Sequence, residues 1–278
     1  MKNNICFGNN IDVPALGMGT WNMGNILANR TQEIEALRRG IELGMTAIDT
    51  AEMYGDGRSE LLVGEAIRGL RDRVFLISKV LPSHASRSGT LKACENSLKR
   101  LQTDCLDLYL LHWKGRYPFE DTVEAMLELQ KSGKIKYWGV SNMDVAEMER
   151  FFNIAGGNTC AADEVLYNLT RRGSEYDLLP WCQQKQMPLI AYSPIEQGRL
   201  LGHPILEEIA RDHNATAAQI ALAWVLRQSG VLAIPKAASV KHVEENFHCL
   251  SITLTAGDLK RLDHAFPAPV RKHRLEMI

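Results

Sequence analysis

Residues 74–101 carry the pattern that decides the fold. A short aliphatic run, VFLISKV (74–80), is followed by TLKACENSLKRL (90–101), and the succession is repeated by CLDLYLLH (105–112) and FEDTVEAMLELQKSG (119–133). A short apolar run predicts a strand buried on both faces, whereas apolar residues spaced three and four apart predict a helix with one buried face. The stretch therefore predicts two consecutive strand–helix units of an α/β fold.

The same alternation extends toward both ends of the chain and gives eight strand–helix units in 278 residues. Eight successive units predict one domain, residues 1–278, folded as a (β/α)8 TIM barrel. An open doubly wound sheet shares the alternation and stays an alternative, but the count and the even spacing favour the barrel. The leading ICFGNNIDVPAL (5–16) predicts a β-hairpin with a Gly-Asn-Asn turn, which caps the base of the barrel.

Composition disfavours several classes of partner. The formal net charge is −1 and no stripe of lysine and arginine stands out, so we expect neither nucleic acid nor a membrane surface as a partner. No signal peptide and no bilayer-length apolar run is present, so we expect a cytoplasmic protein. The eight histidines are scattered and the six cysteines form no C-x-x-C pair, so we expect no metal and interpret the cysteines as reduced core thiols.

Ionisable residues stand at the ends of three neighbouring predicted strands. Asp49 ends TAIDT, Lys79 lies near the end of VFLISKV, and His112 ends CLDLYLLH, at separations of 30 and 33 residues. Chemistry in such barrels lies at the carboxyl ends of the strands, so these groups converge, and the loop after Asp49 brings Tyr54 to them. Each residue alone is more often structural. Together, a buried lysine must pair with the aspartate, and its ammonium lowers the pKa of the phenol, which predicts a proton donor.

Six segments, some of which contain these residues, resemble sequence motifs of the aldo-keto reductase superfamily. They are IDTAEMYG, LISKV, LLHW, GVSN, AYSP and IPKAASVKHVEENF, in this order along essentially the whole chain. Within the superfamily the chain most resembles compact bacterial enzymes that reduce methylglyoxal and similar small aldehydes. The resemblance implies an NAD(P)H-dependent oxidoreductase with a catalytic tetrad. Tyr54 is the implied proton donor, Lys79 lowers its pKa, Asp49 holds Lys79, and His112 orients the carbonyl.

The resemblance also implies the cofactor contacts, with NADP(H) preferred and NAD(H) as the alternative. Ser141 and Asn142 would hold the carboxamide and Tyr192 would stack on the nicotinamide ring, although a helix cap and a core tyrosine are the plainer interpretations. The 193–197 loop would contact the pyrophosphate, and residues 236–246 the adenosine end. The implied set is Gly19, Thr20, Asp49, Ser141, Asn142, Glu164, Tyr192, Ser193, Ile195, Gln197, Lys236, Ser239, His242, Glu245 and Asn246.

Two positions depart from the family pattern. Glu164 stands where the family usually has glutamine, and a carboxylate accepts hydrogen bonds but donates none. Its negative charge near the nicotinamide ring predicts that the binding preference shifts modestly toward the oxidised cofactor, whose ring is cationic. His242 stands where the family commonly has an arginine that binds the 2′-phosphate. Because a histidine is only partly charged at neutral pH, we expect a smaller preference for NADPH over NADH than an arginine would give.

Trp21 and Trp113 lie beside Tyr54 and His112, and the resemblance implies that these four line the substrate pocket. Few residues separate the fourth strand from its helix, and only PAPVRKHRLEMI (267–278) follows the last helical run. Short walls predict a shallow site for small carbonyl substrates. The resemblance to the family also implies a monomer. Two other functions stay open: a cofactor-binding regulatory subunit with little turnover, although no long N-terminal extension is evident, and a Schiff-base lyase that uses Lys79.

Overall fold

An antiparallel hairpin closes one end of the molecule. The computed structural model describes residues 4–8 and 11–278. Strands β1 (Asn4–Phe7) and β2 (Ile11–Pro14) pair with Ile5 opposite Val13, and Phe7 packs on Phe75 with ring centroids 4.7 Å apart. Phe75 begins a barrel strand, so the hairpin covers the amino-terminal end of the barrel, as predicted. Asn9 and Asn10 of the predicted turn lie outside the described residues.

A parallel barrel forms the centre of the described chain. Neighbouring strands pair in sequence order, and most of their residues are buried because helices cover the outer face. The strands are β3 (Met18–Gly19), β4 (Ala47–Asp49), β5 (Phe75–Val80), β6 (Leu106–Leu111), β7 (Ile135–Ser141), β8 (Asp163–Leu166), β9 (Leu189–Tyr192) and β10 (Val231–Ala233).

The first and last of these strands meet and close the barrel. The Gly17 amide donates to the Ala233 carbonyl at 2.8 Å, and the Ala233 amide donates to the Ala15 carbonyl at 2.8 Å. Gly19 also bridges to Lys236 in parallel. The predicted (β/α)8 barrel is therefore confirmed, and the open doubly wound sheet is excluded.

Helices alternate with the strands and carry the capping signals expected from the sequence. Gly44 ends the first helix with φ 99°, a left-handed conformation that glycine adopts without a Cβ clash. The helices are α1 (Arg30–Leu43), α2 (Arg58–Ala66), α3 (Arg87–Leu101), α4 (Phe119–Lys131), α5 (Val145–Phe152), α6 (Leu178–Gln184), α7 (Pro204–Asp212), α8 (Ala217–Val225), α9 (Val240–His248) and α10 (Ala256–Ala265). Short 3-10 turns occur at Leu27–Asn29, Arg71–Arg73, Pro82–His84, Gly157–Thr159, Gly173–Glu175, Glu196–Gly198 and Cys249–Ser251.

The cysteines match the predicted core thiols only in part. Four of the six are buried and all are free, but Cys6 on the hairpin is exposed and Cys105 is half-buried. The interpretation was wrong for Cys6 because β1 has one solvent-facing side, so alternate residues along it are exposed. In residues 4–8 and 11–278, no helix has the length and apolar character needed to cross a bilayer.

Candidate active site

The site is built around a buried lysine at the carboxyl end of β5. Lys79 Nζ lies 2.6 Å from each carboxylate oxygen of Asp49 and donates to the Tyr54 hydroxyl at 3.2 Å. It also lies 3.3 Å from Glu164 Oε1. The Lys79 side chain is fully buried, and those of Asp49 and Glu164 are each 2% exposed. A desolvated ammonium is thus paired with two carboxyl groups and one phenol.

Strand register explains why these groups meet. Asp49, the last residue of β4, pairs with Ile77 of β5, and Lys79 follows two residues later, on the same face of the strand. Thr20 Oγ1 donates to the main-chain carbonyl of Asp49 at 2.8 Å and fixes the end of β4. The one-unit spacing in the sequence therefore becomes proximity at one rim, as barrel geometry requires.

Burial raises the pKa of the Tyr54 phenol above its ordinary value. The Lys79 ammonium opposes this rise, as predicted, but Asp49 and Glu164 reinforce it. The predicted net lowering of the Tyr54 pKa is therefore not found. Burial acts to lower the pKa of Lys79 itself, yet the carboxylates Asp49 and Glu164 raise it above its ordinary value. Lys79 is therefore an ammonium ion and Tyr54 keeps its proton at neutral pH.

His112 is held as a neutral imidazole. Burial, aided by the Lys79 ammonium, lowers the pKa of His112 to about 2. Its ring lies edge-on to Tyr54 with centroids 5.8 Å apart, and its main-chain carbonyl accepts from Asn142 Nδ2 at 3.2 Å. Nδ1 has no hydrogen-bond partner among the described residues. A neutral ring with one N–H can donate a hydrogen bond to a carbonyl oxygen.

A cavity of about 820 Å³ lies above these groups at the carboxyl ends of the strands. Its lining includes Tyr54 and His112 as well as Lys236 and His242. Its size falls within the roughly 300–1,000 Å³ of ligand sites. The predicted site residues that line it are Gly19, Thr20, Trp21, Asp49, Tyr54, His112, Trp113, Ser141, Asn142, Glu164, Tyr192, Ser193, Ile195, Gln197, Lys236 and His242.

Four predicted site residues are not among those that line the cavity. Lys79 lies beneath its floor and acts through its contacts with neighbours. Ser239 caps α9 by accepting from the His242 amide at 3.4 Å. Glu245 lies 3.8 Å from Lys241 in an ion pair, and Asn246 is 6% exposed on the buried side of α9. The spacing within α9 explains this, because a helix cannot turn all of residues 239–246 toward one cavity.

The cavity also has walls that the sequence did not indicate. The C-terminal residues Met277 and Ile278 contribute to its lining, so the tail adds a wall that the sequence analysis did not name. Glu276 pairs with Arg171 and holds this segment in place. No periodicity or motif marks the tail, whereas Asn22 and Met53 could have been inferred from their adjacency to Trp21 and Tyr54. The other additional lining residues are Pro194, Gly198, Ile234 and Pro235.

Strained backbone surrounds the cavity. Asn142, Ser193 and Gln197 have φ values of 61°, 48° and 55°, in the left-handed region that residues with a side chain seldom adopt. The buried Glu196 carboxylate holds the loop by accepting from Asn168 Nδ2 at 2.7 Å. Such strain persists where surrounding contacts impose it, and it is concentrated at ligand sites.

The donors and acceptors of the cavity fit a nicotinamide dinucleotide. Ser141, Asn142 and Glu164 place hydroxyl, amide and carboxyl groups beside Tyr192, whose hydroxyl donates to Asn142 Oδ1 at 3.0 Å. The Lys236 ammonium lies shortly before α9 and His242 lies in the amino-terminal turn of that helix, a place that favours phosphate groups. Among the described residues, no three histidine, cysteine or acidic side chains are grouped as metal ligands.

Comparison with known proteins agrees with this geometry. The model of the Aldo/keto reductase family matches residues 15–266. Methylglyoxal reductase YeaE from Escherichia coli (strain K12) is 54% identical over 279 residues, covering 99% of this chain and 98% of that protein. Glyoxal reductase from Bacillus subtilis (strain 168) is 34% identical over 95% of this chain and 92% of its own length. The crystal structure of an aldo/keto reductase from Klebsiella pneumoniae in complex with NADP and acetate superposes with a TM-score of 0.98, at 53% identity and 100% coverage of both chains.

Proposed function

The chain belongs to the aldo/keto reductase family, and on that premise we propose that it reduces small aldehydes and ketones to alcohols with NADPH. Dicarbonyls of the methylglyoxal type are the proposed substrate class. The observation that carries the proposal is the Tyr54 hydroxyl, held 3.2 Å from the Lys79 ammonium on the floor of a cavity that His112 also lines.

In the proposed reaction Tyr54 is the general acid. The bound cofactor supplies the hydride for the carbonyl carbon, while the protein positions the substrate and supplies the proton. As negative charge develops on the carbonyl oxygen, the Tyr54 O–H transfers its proton to that oxygen. The Lys79 ammonium then stabilises the phenolate that remains. General acid catalysis of this kind contributes roughly 10²–10⁴-fold to a rate.

His112 has a separate role as hydrogen-bond donor. Its low pKa keeps the imidazole neutral, so it donates a hydrogen bond to the carbonyl oxygen without competing with Tyr54 as the acid. A fixed donor aimed at developing charge in a water-poor site typically contributes about 10²–10³-fold. Asn142, bonded to the main chain of His112, couples the carbonyl-binding end of the cavity to the carboxamide end.

NADPH is the proposed form of the cofactor. Ser141, Asn142 and Glu164 would hold the carboxamide, and Tyr192 would lie against the ring. Lys236 and His242 would contact the 2′-phosphate. Lys236 is exposed and lines the cavity, and no ion pair to it is found in residues 4–8 and 11–278, so its charge is available to a phosphate.

The lining of the cavity supports small substrates. Trp21, 42% exposed, and the half-buried Trp113 stand at its rim, and the ring of Trp113 packs against His112 with centroids 4.7 Å apart. Met277 and Ile278 close a further side. Apolar walls with a few polar groups at the floor suit a compact carbonyl compound. We also propose that the enzyme acts as a monomer, which sedimentation velocity would test.

The environment of Lys79 disfavours the alternative of a Schiff-base lyase. A nucleophilic amine must be neutral, but the carboxylates around Lys79 raise its pKa above the ordinary value. Its Nζ is also engaged by Asp49, the main-chain carbonyl of Thr50 and Tyr54. Attack on a carbonyl requires the neutral amine, which would lose these bonds and leave the Asp49 carboxylate without its buried counter-ion.

The proposed function is tested by following the near-ultraviolet absorbance of NADPH with methylglyoxal and several small aldehydes. We expect wild type to oxidise NADPH, Tyr54→Phe to lose at least about 10²-fold in kcat, and Tyr176→Phe, at an exposed tyrosine, to match wild type. Cofactor binding, measured by fluorescence, should persist in Tyr54→Phe. Tight binding of NADPH without turnover of any carbonyl would refute the reductase and favour a cofactor-binding regulatory subunit.

A further inference from the structure

Two buried carboxyl groups share one ammonium beneath the cavity. Lys79 Nζ lies 2.6 Å from both oxygens of Asp49 and 3.3 Å from Glu164 Oε1. If both acids were ionised, the three side chains would carry one uncompensated negative charge, although none is more than 2% exposed. An isolated charge is strongly disfavoured in such a place, and paired carboxyl groups relieve it by retaining one proton.

Hydrogen bonding identifies where that proton resides. Asp49 receives both of its short contacts from Lys79, whereas no donor among the described residues reaches Glu164 Oε2. The Asp49 and Glu164 carboxyl groups both lie against the same ammonium, so they are close neighbours. Of two neighbouring acids that share one ammonium, the carboxyl group with the donor-free oxygen is the better carrier of a proton.

The other groups that face Glu164 carry no positive charge that could compensate a second carboxylate. Tyr54, from the loop after β4, and Tyr192, on β9, both have pKa values raised by burial, so both are neutral phenols. The Tyr192 hydroxyl donates to Asn142 rather than to Glu164. Burial and the neighbouring Asp49 carboxylate likewise raise the pKa of Glu164 well above its ordinary range, with Lys79 opposing.

We propose that Glu164 carries a proton in the cofactor-free enzyme, and that binding of the oxidised cofactor expels this proton while binding of the reduced cofactor retains it. The inference rests on the proposed function for the identity of the cofactor. The oxidised nicotinamide ring is cationic and the reduced ring is neutral. Glu164 lines the cavity beside Tyr192, so a cation bound there stabilises its carboxylate form.

The binding equilibrium balances in atoms and charge. The protonated enzyme and the oxidised cofactor give a complex with ionised Glu164 and one proton released to solvent, and no bond of the cofactor changes. Because one proton is released, affinity for the oxidised cofactor rises by up to about tenfold per pH unit while Glu164 stays protonated in the free enzyme. Affinity for the reduced cofactor lacks this dependence. Glu164 thereby discriminates between the two redox states.

Titration calorimetry in two buffers of different ionisation enthalpy measures the proton count directly. We expect wild type to release about one proton on binding NADP⁺ and close to none on binding NADPH at about pH 7. Glu164→Gln, which keeps the shape of the side chain, should abolish the difference. The matched control is Asp163→Asn: Asp163 is equally buried and lies next in the chain, but it is not among the cavity-lining residues. Its proton counts should equal those of wild type.

Infrared spectroscopy of the cofactor-free enzyme gives a second, independent measurement. We expect a C=O stretching band of a protonated carboxyl group that Glu164→Gln removes and that NADP⁺, but not NADPH, diminishes in wild type. This wild-type measurement stands even if a variant fails to fold. Equal proton counts for the two cofactor forms, or an unchanged band on NADP⁺ binding, would overturn the inference. If the enzyme oxidises NADPH with carbonyl substrates but shows no difference in proton release, only the inference about Glu164 is refuted. If proton release differs but no carbonyl is reduced, only the proposed reductase activity is refuted.

Discussion

Replacing Lys79 with methionine tests the electrostatic core of the site most directly. Methionine has a similar length and no charge, so Lys79→Met leaves the Asp49 and Glu164 carboxyl groups buried without the ammonium that touches both. Removal of one partner from a buried ion pair typically costs about 3–5 kcal/mol, because the remaining charge stays desolvated. We expect both a loss of stability and a loss of activity, and the loss of stability should depend on pH.

The size of that loss follows from the ordinary pKa of aspartate. A buried carboxylate without a partner escapes its penalty by taking up a proton, which costs about 1.4 kcal/mol for each pH unit above about 3.9. Since Glu164 already retains its proton in our proposal, only Asp49 has to be neutralised. Lys79→Met should therefore be destabilised by about 4 kcal/mol at about pH 7 and by only about 1.5 kcal/mol at about pH 5.

Urea unfolding of wild type, Lys79→Met and the double variant Asp49→Asn/Lys79→Met at a series of pH values measures these quantities. The double variant has no carboxylate to neutralise at position 49, so it should recover most of the loss at about pH 7 and be less sensitive to pH. Lys92→Met, at an exposed lysine of α3, controls for the change of residue type. A destabilisation of Lys79→Met that is the same at both pH values would refute the reasoning.

Two further predictions concern the ends of the cavity. Because burial and Lys79 lower the pKa of His112 to about 2, its imidazole is neutral between about pH 5 and 8, so the pH profile of kcat should have no histidine limb in that range. His112→Ala should lose about 10²–10³-fold in kcat with little change in the dissociation constant of NADPH; a comparable loss in cofactor affinity would instead assign His112 to cofactor binding. His242→Arg should increase the preference for NADPH over NADH, since a guanidinium is always charged and binds phosphate bidentately. Fluorescence titration with both cofactors measures that ratio, and an unchanged ratio would remove His242 from the 2′-phosphate site.

The sequence determined the barrel and the family because both depend on features that repeat or stand in order. Asp49, Lys79 and His112 are one strand–helix unit apart, and parallel register carries that spacing into contact. The family match over residues 15–266 confirms the membership that the six motifs predicted. Met277 and Ile278 could not be predicted as cavity walls, because a tail without periodicity gives no indication of the surface on which it lies.

The direction in which the pKa of Tyr54 is shifted could not be predicted from the sequence, for a different reason. The motifs identify Lys79 as its neighbour, and the sign of that one interaction was predicted correctly. The net shift of the Tyr54 pKa, however, is a balance of burial, the ammonium and two carboxyl groups. One of these carboxyl groups, Glu164, lies on β8, far along the chain from Tyr54. Sequence order gives the partners of a group, whereas the balance among them depends on three-dimensional burial.

A raised pKa of Tyr54 has a consequence for the direction of the reaction. Reduction requires the phenol to give a proton to an alkoxide, which is a much stronger base than a phenolate, so the transfer stays favourable even when burial raises the phenol's pKa. Oxidation of an alcohol requires the phenolate as base, and burial together with the Asp49 carboxylate disfavours that form. The cationic ring of the oxidised cofactor would act against this effect only while it is bound. The site therefore favours reduction at neutral pH, and alcohol oxidation should require a more alkaline pH.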